Sequence, residues 1–304
     1  MRDLKKIILA VTIVFSSVSV FGDIIFEGYY KVLSQNKQIG FAVQSYEYDP
    51  ALKQFKSVYY VKVKSGKRGV SESLVALSDN KFHPISYQYT AQSGKTVRTV
   101  DAKFIKKRKN YQMQATIFDG KNTRTVTKKL AKGSFLSTFL LYLMLQKGYD
   151  VNTKFNYIGI AEEDAEAYNG QAYVKELTDF QGKKVHKILY QFKGVKFYSY
   201  STLTGEVAYS HSPVQKIATQ LVKSPAEATV GMVLNTKIVK KLFGRVPLGN
   251  KNYLNKPVVK KQEPKKKTIV ESKAKLNKPV EEAKETPKVK NDVQRSKKES
   301  PKDK

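Results

Sequence analysis

Four carboxylates crowd one short stretch of the chain, Glu162-Glu163-Asp164 followed by Glu166. Paired carboxylates can hydrolyse glycosides when they are held at a fixed separation across a cleft. Here they fall between two strand-like segments, so a solvated loop is expected. A hydrolase built on Glu162, Glu163 and Asp164 is a third reading behind two binding functions. The spacing matches no calcium loop. Of the three histidines, His83 and His211 lie beside Pro84 and Pro213 in turn-like stretches, and His186 shares a strand face with Ile188, Tyr190 and Phe192. No two have metal-ligand spacing, so no metal site is expected. The chain contains no cysteine. That excludes a thiolate nucleophile, a disulfide, a Cys-based zinc site and the lipid anchor of bacterial lipoproteins. Neither a G-x-S-x-G elbow nor a Walker-type loop is present. The expectation is a non-enzymatic protein with no catalytic residue and no cofactor.

Tyrosine is the more informative residue type, with 19 copies against no tryptophan. Tyr46 and Tyr48, Tyr87 and Tyr89, and Tyr198 and Tyr200 are two apart, and such residues point the same way in a strand. They either pack across strands or face a ligand. A second candidate is GSFLSTFLLYLMLQKG, 133–148, which carries no charge from Phe135 to Leu145. That run is too short to span a bilayer and fits a buried helix over 134–147. Ser134, Thr138, Tyr142 and Gln146 make one polar stripe on it, with Ser134 as the cap and Gly148 as the stop. Thr138, Phe139, Tyr142 and Leu143 are the candidate residues facing a ligand cavity.

The elements that must position these residues read mostly as strands. NYQMQATIF, 110–118, alternates apolar and polar and meets Asp119-Gly120, a favoured hairpin turn. Similar pairs recur as Ser65-Gly66, Ser93-Gly94, Asn169-Gly170, Gln181-Gly182, Lys193-Gly194 and Thr204-Gly205. About a dozen strands are predicted, the last at 205–210. A second helix is predicted over 225–243, with Ser224 as cap, Pro225 in the first position, Glu227 closing a capping box and Gly244 as stop. The fold class is therefore mainly β with some α. It is expected to be a large curved antiparallel meander, half-barrel or barrel-like, packed on one central apolar helix.

Three regions follow. Residues 1–22 read as a signal peptide: a basic MRDLKK, an apolar IILAVTIVF and small residues before a cut after Gly22. Residues 23–250 form the β domain. Residues 251–304, rich in Lys, Glu and Pro, read as a disordered tail carrying two copies of LNKPV. The net charge is +30. The tail holds 18 Lys+Arg against 8 Asp+Glu and the signal three against one, which leaves +18 for residues 23–250. A surface this basic favours polyanions. The disulfide-free export pattern points to a bacterial periplasm or cell surface. The expected partners are anionic envelope polymers or a membrane surface, with Lys260, Lys261, Lys265, Lys266 and Lys267 as the anion-binding residues. Nucleic acid is not an expected partner.

FEGYYKVLSQNKQIG at 26–40 and YSTLTGEVAYSHSP at 200–213, with one apolar helix between them, resemble exported bacterial β-domains that precede the catalytic part of transglutaminase-like proteins. Without cysteine the chain lacks that family's nucleophile, so no catalytic residue carries over. The curled sheet with an inner helix is also similar to the half-barrels of the lipoprotein-carrier family. The first expectation of function is a non-enzymatic exported protein whose curved sheet cradles an apolar or lipid-like ligand. The alternative is a structural adaptor that docks an envelope protein, with the basic tail holding anionic polymers.

Overall fold

The computed structural model describes residues 22–64, 69–107 and 110–255. The expected signal segment, apart from Gly22, and the five tail lysines lie outside these residues. Fifteen strands form one sheet. They are β1 (Asp23–Ser34), β2 (Lys37–Asp49), β3 (Gln54–Val63), β4 (Val70–Asp79), β5 (Pro84–Ser93), β6 (Thr96–Lys107), β7 (Asn110–Phe118) and β8 (Thr123–Leu130) in the first half. The second half holds β9 (Phe135–Leu136), β10 (Lys154–Ala161), β11 (Glu166–Phe180), β12 (Lys183–Phe192), β13 (Val195–Thr202), β14 (Val207–Ser212) and β15 (Ile217–Val222). Helices α1 (Leu140–Lys147), α2 (Pro225–Ala228) and α3 (Thr236–Phe243) are short.

The strand order runs from β8 back to β1, then β15 back to β9. Neighbours are antiparallel except β9 on β10. The first and last long strands meet at the middle, with Tyr30 opposite Leu221. The two edges, β8 and β9, are consecutive in the chain. Leu130 and Phe135 are five residue steps apart, a reach of at most about 19 Å. Fifteen strands laid flat would be about 67 Å wide. The sheet must therefore roll until its edges approach. Side chains span the gap: Arg98 of β6 donates to the Glu163 carbonyl at 2.9 Å, and Lys128 of β8 pairs with Glu166 of β11. No ladder joins β8 to β9, so the sheet is open and the barrel expectation is corrected.

The helices also differ from expectation. Phe135 and Leu136 pair with Gly159 and Ile160 as an edge strand, so 134–147 is not one helix. Ser137–Phe139 is a 3-10 turn, and α1 adds two turns ending at Gly148. Ser134 does not cap it; its hydroxyl turns back to the Ala131 carbonyl at 2.8 Å. Among the described residues no helix is long and apolar enough to cross a membrane. The side chains of α1 divide: Tyr142 joins the cluster of β4–β8, and Met144 joins that of β11 and β12. The 225–243 helix breaks in two. Ser224 and Pro225 start α2 as predicted, but Gly231 is left-handed and Asn235 caps a fresh helix, α3. Val239 and Phe243 of α3 cover Tyr29, Phe41 and Val58.

Asn169-Gly170 is not a turn. Both residues lie inside β11, opposite Ile158 and Tyr157. The glycine is needed because the Tyr157 ring lies across it; a Cβ there would sit 2.3 Å from the ring.

The fold also extends past residue 250. Beyond Tyr29, β1 has no β15 partner, and 251–252 take that place. The Glu27 N–H donates to the Lys251 carbonyl at 2.9 Å, and Asn252 Nδ2 donates to the Glu27 carbonyl at 3.0 Å. The buried Glu27 carboxylate pairs with Arg245 and accepts from the Gly249 N–H at 2.6 Å. Tyr253 packs against Phe26 and Tyr30, and its N–H donates to Glu206 at 2.5 Å. The Lys and Asn around it disguise this strap as tail. Removing Asn252 and Tyr253 orphans the buried Glu27 carbonyl and uncovers apolar surface, a loss of about 3 kcal/mol. A chain ending at Asn255 is expected to melt like the full-length protein. One ending at Asn250 is expected to melt about 6–12 °C lower by circular dichroism.

Candidate functional site

A cavity of about 280 Å³ lies where β1 and β2 face β12–β15 across the start of the α1 segment. Strand alternation supplies its walls. On β2, Ala42, Gln44 and Tyr46 point in, while Phe41, Val43 and Ser45 point out. On β12 and β13, Tyr190, Phe197 and Ser199 line it, and Tyr198 and Tyr200 face away. Leu140 and Leu141 close it from the helix. Tyr30, Val207, Ser210 and Thr219 complete the wall.

Its polar groups are wired to one another. Tyr46 OH donates to the Thr138 carbonyl at 2.8 Å and accepts from Gln44 Nε2 at 2.6 Å. Tyr30 OH donates to the Val207 carbonyl at 3.1 Å. Thr138 Oγ1 and Ser57 Oγ lie 2.8 Å apart, and Ser210 Oγ and Thr219 Oγ1 lie 2.7 Å apart. Burial pushes the Tyr46 hydroxyl up to about 12 and Tyr30 well above its ordinary value.

Glu162 stands one layer behind this wall. It is 4% exposed, against the expectation of a solvated loop. Its carboxylate accepts from Ser137 Oγ at 2.7 Å and from the Thr138 N–H at 3.2 Å. It thus caps the 3-10 turn from the end of β10, the strand paired with β9, the task the sequence assigned to Ser134. Burial pushes its carboxyl up to about 7, against the opposing hydrogen bonds from Ser137, its own backbone and Thr138. Glu163 and Asp164 leave the site and both pair with Lys193. The acidic cluster is therefore one buried cap and one surface ion-pair group, not two carboxylates facing across a cleft.

Of the four predicted ligand residues, Thr138 lines the cavity. Phe139 and Tyr142 are packed in the core, with the Tyr142 ring 4.7 Å from Tyr46. Leu143 borders a separate trough of about 490 Å³ at the β10 edge, alongside Lys132, Lys147 and Tyr157. Tyr46 was singled out by its pairing, whereas Gln44, Tyr190, Phe197 and Ser199 carry no local signal. Tyr87 and Tyr89 are core residues. Tyr198 stacks on His211, with ring centroids 5.2 Å apart. His83 pairs with Asp79 at 2.8 Å, and the His186 ring meets Tyr149 edge-on. Among the described residues no three His, Cys, Asp or Glu side chains gather as a metal site.

No protein-family model matches this sequence, and no curated protein matches it. A solved structure similar to part of it is a DUF1089 family protein from Pseudomonas aeruginosa, at 12% identity and a TM-score of 0.34. The match covers 57% of this chain and 90% of that one. The comparisons give no support to the transglutaminase-like or lipoprotein-carrier resemblance; what stands is the large β-sheet.

The raised Glu162 carboxyl has a sign that can be measured. The folded protein holds this proton up to about pH 7, whereas an unfolded chain releases it near 4.5. Between those values the folded state binds more protons, so this group's contribution to stability falls as pH rises and stays low above 7. The full difference is on the order of 3 kcal/mol. Glu162→Gln keeps an acceptor for Thr138 and removes the buried charge. It is expected to raise the melting temperature at pH 8 and to flatten the decline between about pH 4.5 and 7. A lower melting temperature at pH 8 would contradict this account.

Proposed function

We propose that the protein is a non-enzymatic, exported binding protein of the bacterial cell envelope that holds an amphipathic, lipid-like ligand in the cavity between β1–β2 and β12–β15. The observation that carries this reading is the wall itself. Aromatic and aliphatic side chains dominate, and a few hydroxyls and one amide converge among them. Ligand sites generally take this form. At about 280 Å³ the cavity is slightly below the roughly 300–1,000 Å³ usual for drug-sized ligands. It suits a single chain or small amphipath rather than a many-chained lipid. In this reading the rolled sheet and the Ser137–Lys147 segment together form the cradle, in the manner of a half-barrel around a helix. The net +18 of residues 23–250 and the basic tail would hold the protein near anionic surfaces.

Ala42 sits on the wall beside the Phe26 and Tyr30 cluster, and Ala42→Trp fills the space on the cavity side while leaving the cluster under α3 untouched. Displacement of a neutral fluorescent chain probe from the full-length protein provides the measurement. The native protein is expected to bind the probe and a medium-chain amphipath. Ala42→Trp is expected to bind at least tenfold more weakly with a melting temperature within about 3 °C of native. A native protein that takes up neither the probe nor any envelope lipid, as judged by mass spectrometry of extracts from purified protein, would overturn the reading.

A further inference from the structure

The cavity wall is uncharged although the chain around it is strongly basic. Among the described residues that line it, none is Lys, Arg, Asp, Glu or His. Three of its hydroxyls spend their protons on the protein. Tyr30 donates to the Val207 carbonyl, Tyr46 to the Thr138 carbonyl and Ser137 to the Glu162 carboxylate. Gln44 gives one amide N–H to Tyr46. The Tyr190 hydroxyl accepts from Ser199, and one hydrogen bond joins Ser210 to Thr219, so the wall keeps both donor and acceptor positions for a ligand. A carboxylate or phosphate would find no cation on this wall to pair with. It would also come within one layer of the Glu162 charge, where low dielectric strengthens repulsion. An uncharged hydroxyl or amide head, which both donates and accepts, matches such a wall. The cavity volume leaves room for a single chain behind that head.

We infer that the ligand carries an uncharged polar head, a hydroxyl or an amide, on one apolar chain, and that the buried Glu162 carboxylate behind the wall enforces this choice. This rests on the cavity being a binding site. Glu162 is a positioning residue: it holds the Ser137 proton away from the cavity and sets the sign of the local potential. Glu163 and Asp164 add negative charge nearby, partly neutralised by Lys193; Arg98 lies against the Glu163 backbone, and Tyr46, Tyr59 and Tyr87 face Glu162 as neutral hydroxyls.

The test compares two compounds with one chain, 1-decanoylglycerol and decanoate, as displacers of a neutral naphthylamine probe from the full-length protein at pH 8. The glycerol ester is expected to bind at least tenfold tighter. Equal or tighter binding of decanoate overturns the inference while leaving the binding function intact. If neither compound displaces a bound probe, the inference falls; if the protein takes up neither the probe nor any envelope lipid, the binding function falls with it. Glu162→Gln is expected to narrow the gap to about threefold or less, chiefly by improving decanoate binding. Ser137→Ala removes a hydrogen bond that favours the ionised Glu162 carboxylate, so its gap is expected to fall between those of the native protein and Glu162→Gln. A gap unchanged in Glu162→Gln removes Glu162 from the selectivity. A protein in which Glu162 served only to cap the turn would lose affinity for both compounds alike.

Discussion

The two edges of the sheet are joined by Ala131–Ser134, and a four-residue link cannot reach across fifteen flat strands. Rolling satisfies that tether, and the concave face it creates must then be filled. The tether is also the reason the uncharged segment lies where it does. Phe135 and Leu136 finish the sheet as an edge, and the chain turns inward at Ser137. From there Phe139 and Tyr142 fill the side toward β4–β8, while Met144 fills the side toward β11 and β12. The clusters leave the cavity wall between them at Leu140 and Leu141.

Two buried carboxylates hold the ends of this arrangement. Glu162 receives the turn that starts the inner segment, and Glu27 receives the strap that ends the domain. They solve the problem of burial differently. Glu27 has a guanidinium partner and a backbone N–H, a pairing that offsets the loss of water. Glu162 has only neutral donors, which explains why its proton is held so firmly. The first arrangement is a latch. The second leaves a carboxyl with no cationic partner one layer behind the cavity wall.

Much of the sheet was legible because its signals are local. The alternation of Tyr111–Ile117 and the paired turn residues Gln181-Gly182 and Lys193-Gly194, all left-handed, need no distant partner to be read. Where the decisive partner is remote, the local signal fails. Asn169-Gly170 carries turn chemistry, yet the glycine serves the Tyr157 ring on the next strand. Phe135-Leu136 looks helical until Gly159 and Ile160 lie beside it. Tyr253 sits in a Lys- and Asn-rich stretch whose composition hides its fit against Phe26. At the cavity, Thr138 was visible as the polar member of an apolar run. Tyr190, Phe197 and Ser199 were not, since alternation tells which residues share a face but not which face curls inward.

The meeting of β1 with β15 governs how the chain can fold. Residues 23–130 can pair as successive hairpins, but one edge of β1 stays open until Ile217–Val222 and the strap have been made. Tyr30 and Leu221 are nearly a full domain apart in sequence, so their encounter is a closure of high contact order and is intrinsically slow. During that interval the nascent chain offers an unpaired, aromatic strand edge to any neighbour. The same seam that completes the sheet is thus the last to close and the place where self-association would start.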